Sequence, residues 1–77
     1  MKIQIRYFGQ LGEITGKSEE HLEVSCQTIA ELRVILIAHY SGLDAIHFKI
    51  AQDNSITADS SPLKGQLIDL LPPFSGG

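Results

Sequence analysis

An α+β domain, with a mixed sheet of four to five strands and one main helix packed on one of its faces, is what this sequence predicts. Three observations lead there. Two stretches alternate polar and apolar residues, at 2–8 and 19–25, and read as successive strands. A single helical periodicity comes next, running from Ile29 to His39. The chain then closes on "QLIDLLPPFSGG", a strand run into two prolines that cannot extend it for want of backbone donors.

Length and charge narrow the possibilities. Seventy-seven residues make one small domain, so its core comes from a few elements and leaves little room for a buried cofactor. Six basic side chains against nine acidic ones give a net charge of -3, with no Lys or Arg cluster to neutralise a run of phosphates. A nucleic-acid or membrane partner is not expected. The opening "MKIQIRYF" has no uninterrupted apolar run, so neither a signal peptide nor a membrane span is expected, and the expected location is cytoplasmic. Cys26 is alone, which argues against a disulfide framework and suits a reducing compartment.

Each element has its own signal. In the first strand Ile3, Ile5 and Tyr7 share one face, with Lys2, Gln4, Arg6 and Phe8 on the other. "GQLGEITGKS" predicts a turn or a single helical turn ended by Gly16. Residues 19–25 then return as a hairpin partner, with His21, Glu23 and Ser25 opposite Leu22 and Val24. Thr28-Ile29-Ala30-Glu31 is a capping-box signature, in which the Thr hydroxyl takes an orphan backbone N–H. The helix it starts spans about residues 29–41, with Gly42 where a left-handed cap is wanted. "HFKIAQ" and "SITA" flank the turn pair Asp53-Asn54 and predict a second hairpin. A loop containing Ser60, Ser61, Pro62 and Gly65 then leads to the last strand. By analogy this order points to a ubiquitin-like β-grasp fold, with first and last strands side by side over residues 1–71 and an extended tail at 72–77.

No catalytic constellation is evident inside the domain. His21, His39 and His47 have no partner carboxylate or thiol in a ligand pattern, so no metal site is predicted. Gly16-Lys17-Ser18 shares letters with a phosphate-binding loop, but only three residues separate Gly12 from Gly16 where that loop needs four. Glu13, Glu31 and Asp69 read as solvated surface charges.

The tail is the chemically suggestive part. Pro72 and Pro73 stop the strand and stiffen the chain end into an extended line, and six residues reach roughly 20 Å. Gly76 and Gly77 remove the side chains from the last two positions, so the end can thread a narrow channel and offer its α-carboxylate. That carboxylate must be activated, for instance as an acyl-adenylate made with ATP, and the sequence shows no nucleotide site for doing so. A separate adenylating partner is implied, and this chain is expected to bind no cofactor. Phe8, Leu67 and Leu71 face away from Ile3, Ile5, Ile68 and Leu70 and form a candidate docking patch near the tail. Scattered exposed apolar residues are the alternative reading of the same positions.

"YFGQLGEITG", "TIAELRVIL", "SPLKG" and above all "LLPPFSGG" give the chain a resemblance to the sulfur carriers of the MoaD/ThiS type, and within them to the small subunits of molybdopterin synthase. It covers nearly the whole chain. It departs from the usual family pattern at Gly12, where Arg is common, and at Lys64-Gly65-Gln66-Leu67, where Asp-Gly-Asp-Glu is usual. The resemblance implies that Gly77 is adenylated by a ubiquitin-activating-type enzyme and converted to a thiocarboxylate. The tail then enters the large subunit, which supplies the catalytic side chains, and its sulfur passes to cyclic pyranopterin monophosphate. In that scheme Gly77 carries the sulfur, Gly76 fits the channel, and Pro72, Pro73, Phe74 and Ser75 guide the end. The chain is then a sulfur-donor subunit with no catalytic site of its own, in a two-plus-two heterotetramer. A carrier for thiazole or cysteine synthesis, a ubiquitin-like modifier of lysines, and a non-catalytic β-grasp interaction module remain alternatives.

Overall fold

Alternation along "KIQIRY" makes the strand β1, Lys2–Tyr7, which buries Ile3, Ile5 and Tyr7 and turns Lys2, Gln4 and Arg6 outward. In the computed structural model, which describes residues 1–73, it is followed by the short helix α1 (Gln10–Thr15) and by β2 (Glu19–Glu23). Next come the main helix α2 (Ile29–His39), a 3-10 turn at Ser41–Ala45, and the strands β3 (Lys49–Gln52), β4 (Ser55–Ile56) and β5 (Leu67–Leu71). The five strands form one mixed sheet in the order β2-β1-β5-β3-β4. β1 runs antiparallel to β2 and parallel to β5, while β3 is antiparallel to both β5 and β4. First and last strands therefore lie side by side.

One hydrophobic core fills the space between the sheet and α2. Ile3 and Ile5 of β1, Ile50 of β3, and Ile68 and Leu70 of β5 meet Ile29, Leu32 and Leu36 of α2, with Leu11 and Leu43 closing the ends. Full burial of each such side chain contributes about 1.5–3 kcal/mol. The α2 start carries the predicted cap: the Glu31 backbone N–H donates to Thr28 Oγ1 at 3.2 Å, while the Glu31 carboxylate accepts from the Thr28 hydroxyl at 3.1 Å and from the Gln27 N–H at 3.4 Å, one residue before the N–H that closes a full capping box. Arg33 ties the helix to the segments that flank the second hairpin. Its guanidinium donates to the Phe48 carbonyl at 2.7 Å and to Asp59 at 3.0 Å, and lies 4.6 Å from the centre of the Phe48 ring.

The helix ends two residues before the predicted position 41. Tyr40, extended at φ -133°, terminates it, and Gly42 is not a left-handed cap. Gly42 lies inside the 3-10 turn, where a Cβ would come within 2.9 Å of Ile14 Cγ2. That turn carries Leu43 into full burial, so close packing against α1 decides the residue type there rather than backbone handedness. The strand β2 stops at Glu23 instead of Ser25 because its partner runs out: Lys2 pairs with Glu23. The second hairpin is also shorter than expected, although its turn is as read. Asp53 and Asn54 have φ values of 48° and 71°, the paired left-handed geometry that matches the twist of flanking strands.

A buried glutamine shapes the segment leading into β5. Gln52 Oε1 accepts from the backbone N–H groups of Lys64 and Gly65 at 3.1 and 3.0 Å, and Nε2 donates to the Pro62 carbonyl at 3.0 Å. Backbone donors and acceptors that the loop could not pair within itself are met by this one side chain.

Candidate functional site

The register of β5 against β1 fixes where the chain leaves the sheet. Tyr7 is level with Leu70, and the Phe8 N–H extends the ladder by donating to the Leu70 carbonyl at 3.1 Å. Phe8 and Leu71 are thus neighbours at the top of two adjacent central strands, Phe8 exposed and Leu71 half-buried. Pro72 comes at once after it, half-buried, and Pro73 is exposed. The remaining tail positions named from sequence, Phe74, Ser75, Gly76 and Gly77, lie outside the described residues.

Gly9 meets Pro72 at this exit. Its backbone sits at φ 57° and ψ -135°, a combination costing a residue with a side chain about 1–3 kcal/mol. A Cβ placed there would stand 3.2 Å from Pro72 Cγ. Gly9 is also the residue before α1, where its carbonyl accepts from the Gly12 N–H at 3.1 Å. The first turn of α1 and the root of the tail therefore share one glycine.

The open face of the sheet is not one continuous apolar patch. Leu67 is level with Gln4, at the opposite end of β5 from Leu71, so the three residues grouped from sequence divide into a pair and a single. Between them stands an ion pair: Arg6 Nε and Nη2 donate to the two oxygens of Asp69 at 2.7 and 2.9 Å. Asp69 is only 7% exposed, so its reading as a solvated charge is corrected. The Arg6 guanidinium also lies 5.5 Å from the centre of the Phe8 ring, bracing that side chain from below. Beyond Leu67 a shallow open depression of about 530 Å³ is bordered by Lys2, Gln4, His21, Asp53 and Gln66.

On the opposite face a second polar cluster, which the sequence reading missed, supports the connection carrying Gly9. Glu20 accepts from the Tyr7 and Tyr40 hydroxyls at 2.5 and 2.6 Å and from Lys17 Nζ at 3.1 Å. Burial pushes the Glu20 carboxyl upward, but the bonds from Tyr40, Tyr7 and Lys17 outweigh it and hold it below the ordinary value. Burial and then the bond to Glu20 drive the Tyr7 hydroxyl far above its usual range, so it stays a donor. Tyr7 and Tyr40 meet edge to face at 5.9 Å, joining β1 to the end of α2. The signal was available: Glu20 has the parity of Leu22 and Val24, which places a carboxylate on the core side of its strand.

The other chemistry-bearing residues are dispersed. Among the described residues no three His, Cys, Asp or Glu side chains gather as a metal site would require. His21 and His47 are exposed, and His39 Nδ1 lies 3.0 Å from the Ile35 carbonyl of its own helix. Cys26 is half-buried, and desolvation raises its thiol pKa, away from the reactive thiolate. Among the described residues no helix is long and apolar enough to cross a membrane.

A five-stranded mixed sheet with a single main helix on one face, and a chain end leaving from the central strand, defines the ubiquitin-like β-grasp class. Residues 5–77 match the ThiS family, and the chain belongs to that family of sulfur-carrier, ubiquitin-like proteins. No curated protein sequence matches it. Similar solved structures include SAMP1 from Haloferax volcanii, at 19% identity over all of both chains with a TM-score of 0.82. A putative molybdopterin converting factor subunit 1 from Pyrococcus furiosus is 17% identical over 96% of this chain and 99% of its own, with a TM-score of 0.86. A third is the complex of subunits 1 and 2 of the molybdopterin-converting factor from Helicobacter pylori, at 28% identity over all of both chains and a TM-score of 0.69.

Proposed function

We propose that this chain is the sulfur-carrying small subunit of a molybdopterin synthase, working in the cytoplasm in a two-plus-two heterotetramer with a large catalytic subunit. The observation that carries the proposal is the departure of Pro72 from the central strand beside Phe8 and Leu71, with "PFSGG" following it in sequence. A partner docked on those two residues stands where the tail begins, so one interface both holds the domain and receives its end. The subunit 1 and 2 complex from H. pylori supports a large partner of this kind.

The chemistry starts from Gly77. A ubiquitin-activating-type enzyme joins its carboxylate to AMP, releasing pyrophosphate from ATP. A sulfur donor then displaces AMP, leaving a C-terminal thiocarboxylate. In the large subunit the thiocarboxylate sulfur attacks a carbon of cyclic pyranopterin monophosphate as that carbon's bond to oxygen breaks and the oxygen leaves with a proton; water then cleaves the resulting thioester, restoring the Gly77 carboxylate and leaving the sulfur on the pterin as a thiol. Pro72, Pro73, Phe74 and Ser75 guide the end, Gly76 clears the channel, and Phe8, Leu71 and, at the far end of the face, Leu67 contact the partners. ATP is used by the activating enzyme, and this chain holds no cofactor.

Intact mass measurement tests this reading. Protein purified from cells making the cofactor should gain about 16 Da from oxygen replaced by sulfur. The thiocarboxylated form, mixed with large subunit and pterin precursor, should yield molybdopterin. Isopeptide conjugates to lysines in place of that product would refute the reading in favour of a protein modifier, and removal of Gly77 without loss of product would refute carriage altogether.

A further inference from the structure

We infer that Gly9 is a positioning residue: with the Pro72 ring seated against it, it sets the direction in which the tail leaves the domain toward an adenylating active site. The inference rests on the carrier reading above and adds a residue that lies outside the tail. Three observations carry it. The Gly9 backbone is held at φ 57° and ψ -135°, and the carbonyls at this corner are committed: Phe8 to the Leu11 N–H and Gly9 to the Gly12 N–H, both at 3.1 Å. The corner is thereby tied into the start of α1 rather than hanging from it. Next, the Pro72 ring stands against the place of a Gly9 side chain, with Cγ 3.2 Å from a Cβ there, so that any side chain would press the ring outward. Finally, the prolines differ: Pro72 is half-buried against the domain and Pro73 is exposed.

Proline fixes its own φ, so a ring held against a fixed surface orients the residues after it. Removing the Gly9 hydrogen surface therefore leaves docking on Phe8 and Leu71 in place while misaiming the reactive end. Positional errors near 1 Å at a reacting centre are enough to cost about 100-fold in rate.

The test is ATP–pyrophosphate exchange by the cognate ubiquitin-activating-type enzyme, with the full-length carrier varied in concentration and thermal melting of each variant as the folding control. Gly9→Ala should lower kcat about tenfold and leave KM within about twofold. Pro72→Ala should do the same, and the double variant should be no worse than the weaker single one, because both act through one contact. Pro73→Ala, which removes equal stiffness without touching Gly9, should give a smaller loss than Pro72→Ala, and this comparison decides the matter if Gly9→Ala fails to fold. An unchanged kcat, an effect confined to KM, multiplying losses in the double variant, or equal losses at Pro72 and Pro73 each overturn the inference. A wild-type chain that supports no exchange overturns the carrier reading on which it rests.

Discussion

Replacing Glu20 by Ala should destabilise the domain far more than its position on an edge strand suggests. The carboxylate receives two hydroxyls and one ammonium, and Tyr7, one of its donors, is only 4% exposed. A hydrogen bond to a charged group contributes about 1.5–3 kcal/mol, and an orphaned buried donor costs its full desolvation. Counting Tyr7 near 2, half-exposed Tyr40 near 1, and the largely exposed Lys17 as negligible gives about 3 kcal/mol. For a domain of this size that lowers the thermal midpoint by roughly 15 °C. Circular dichroism melts at neutral pH measure it. Tyr7→Phe, which removes donor and bond together, should cost about 1 kcal/mol. The pH dependence has a definite sign. Because the folded carboxyl is held below its ordinary 4.5, its stabilisation is present above that value and lost as the pH falls through the folded pKa. The gap between wild type and Glu20→Gln should therefore narrow below about pH 4.5. A midpoint drop under about 5 °C for Glu20→Ala, or a Tyr7→Phe cost equal to it, would refute this account of the network.

The remaining predictions concern the face, the loop and the turn. Phe8→Asp should weaken binding to the proposed large subunit at least about tenfold by calorimetry, with little change in melting temperature, since the side chain is 40% exposed. Gln52→Ala strands two backbone N–H groups and should cost about 2–4 kcal/mol, read by denaturant unfolding, with amide exchange at Lys64 and Gly65 accelerated first. Asn54→Gly should raise the midpoint by a few degrees, because glycine meets φ 71° without the penalty a side chain carries.

The order of elements was legible because each has a short-range cause: alternation for the strands, a Thr-to-Glu box for α2, and a two-residue turn for the second hairpin. Leu43 was not, because a tight turn that buries one leucine has no period to detect. The Arg6–Asp69 pair depends on the parallel register of strands far apart in the chain, which neither residue's neighbourhood encodes. Phe8 and Leu71 could be paired from the analogy of fold, whereas the distance of Leu67 from them required the register itself. Gly9 was visible only as one glycine of three in a loop, since its role depends on a proline more than sixty positions away.

Among the described residues β5 is last in sequence and is also the middle strand of the sheet. Until β5 is in place, β2 with β1 and β3 with β4 are two separate hairpins with no hydrogen bonds between them. A chain without residues 67–71 lacks the strand that joins the two hairpins, together with the fully buried Ile68 and Leu70. The strand from which Pro72 departs is thus the one that closes the domain.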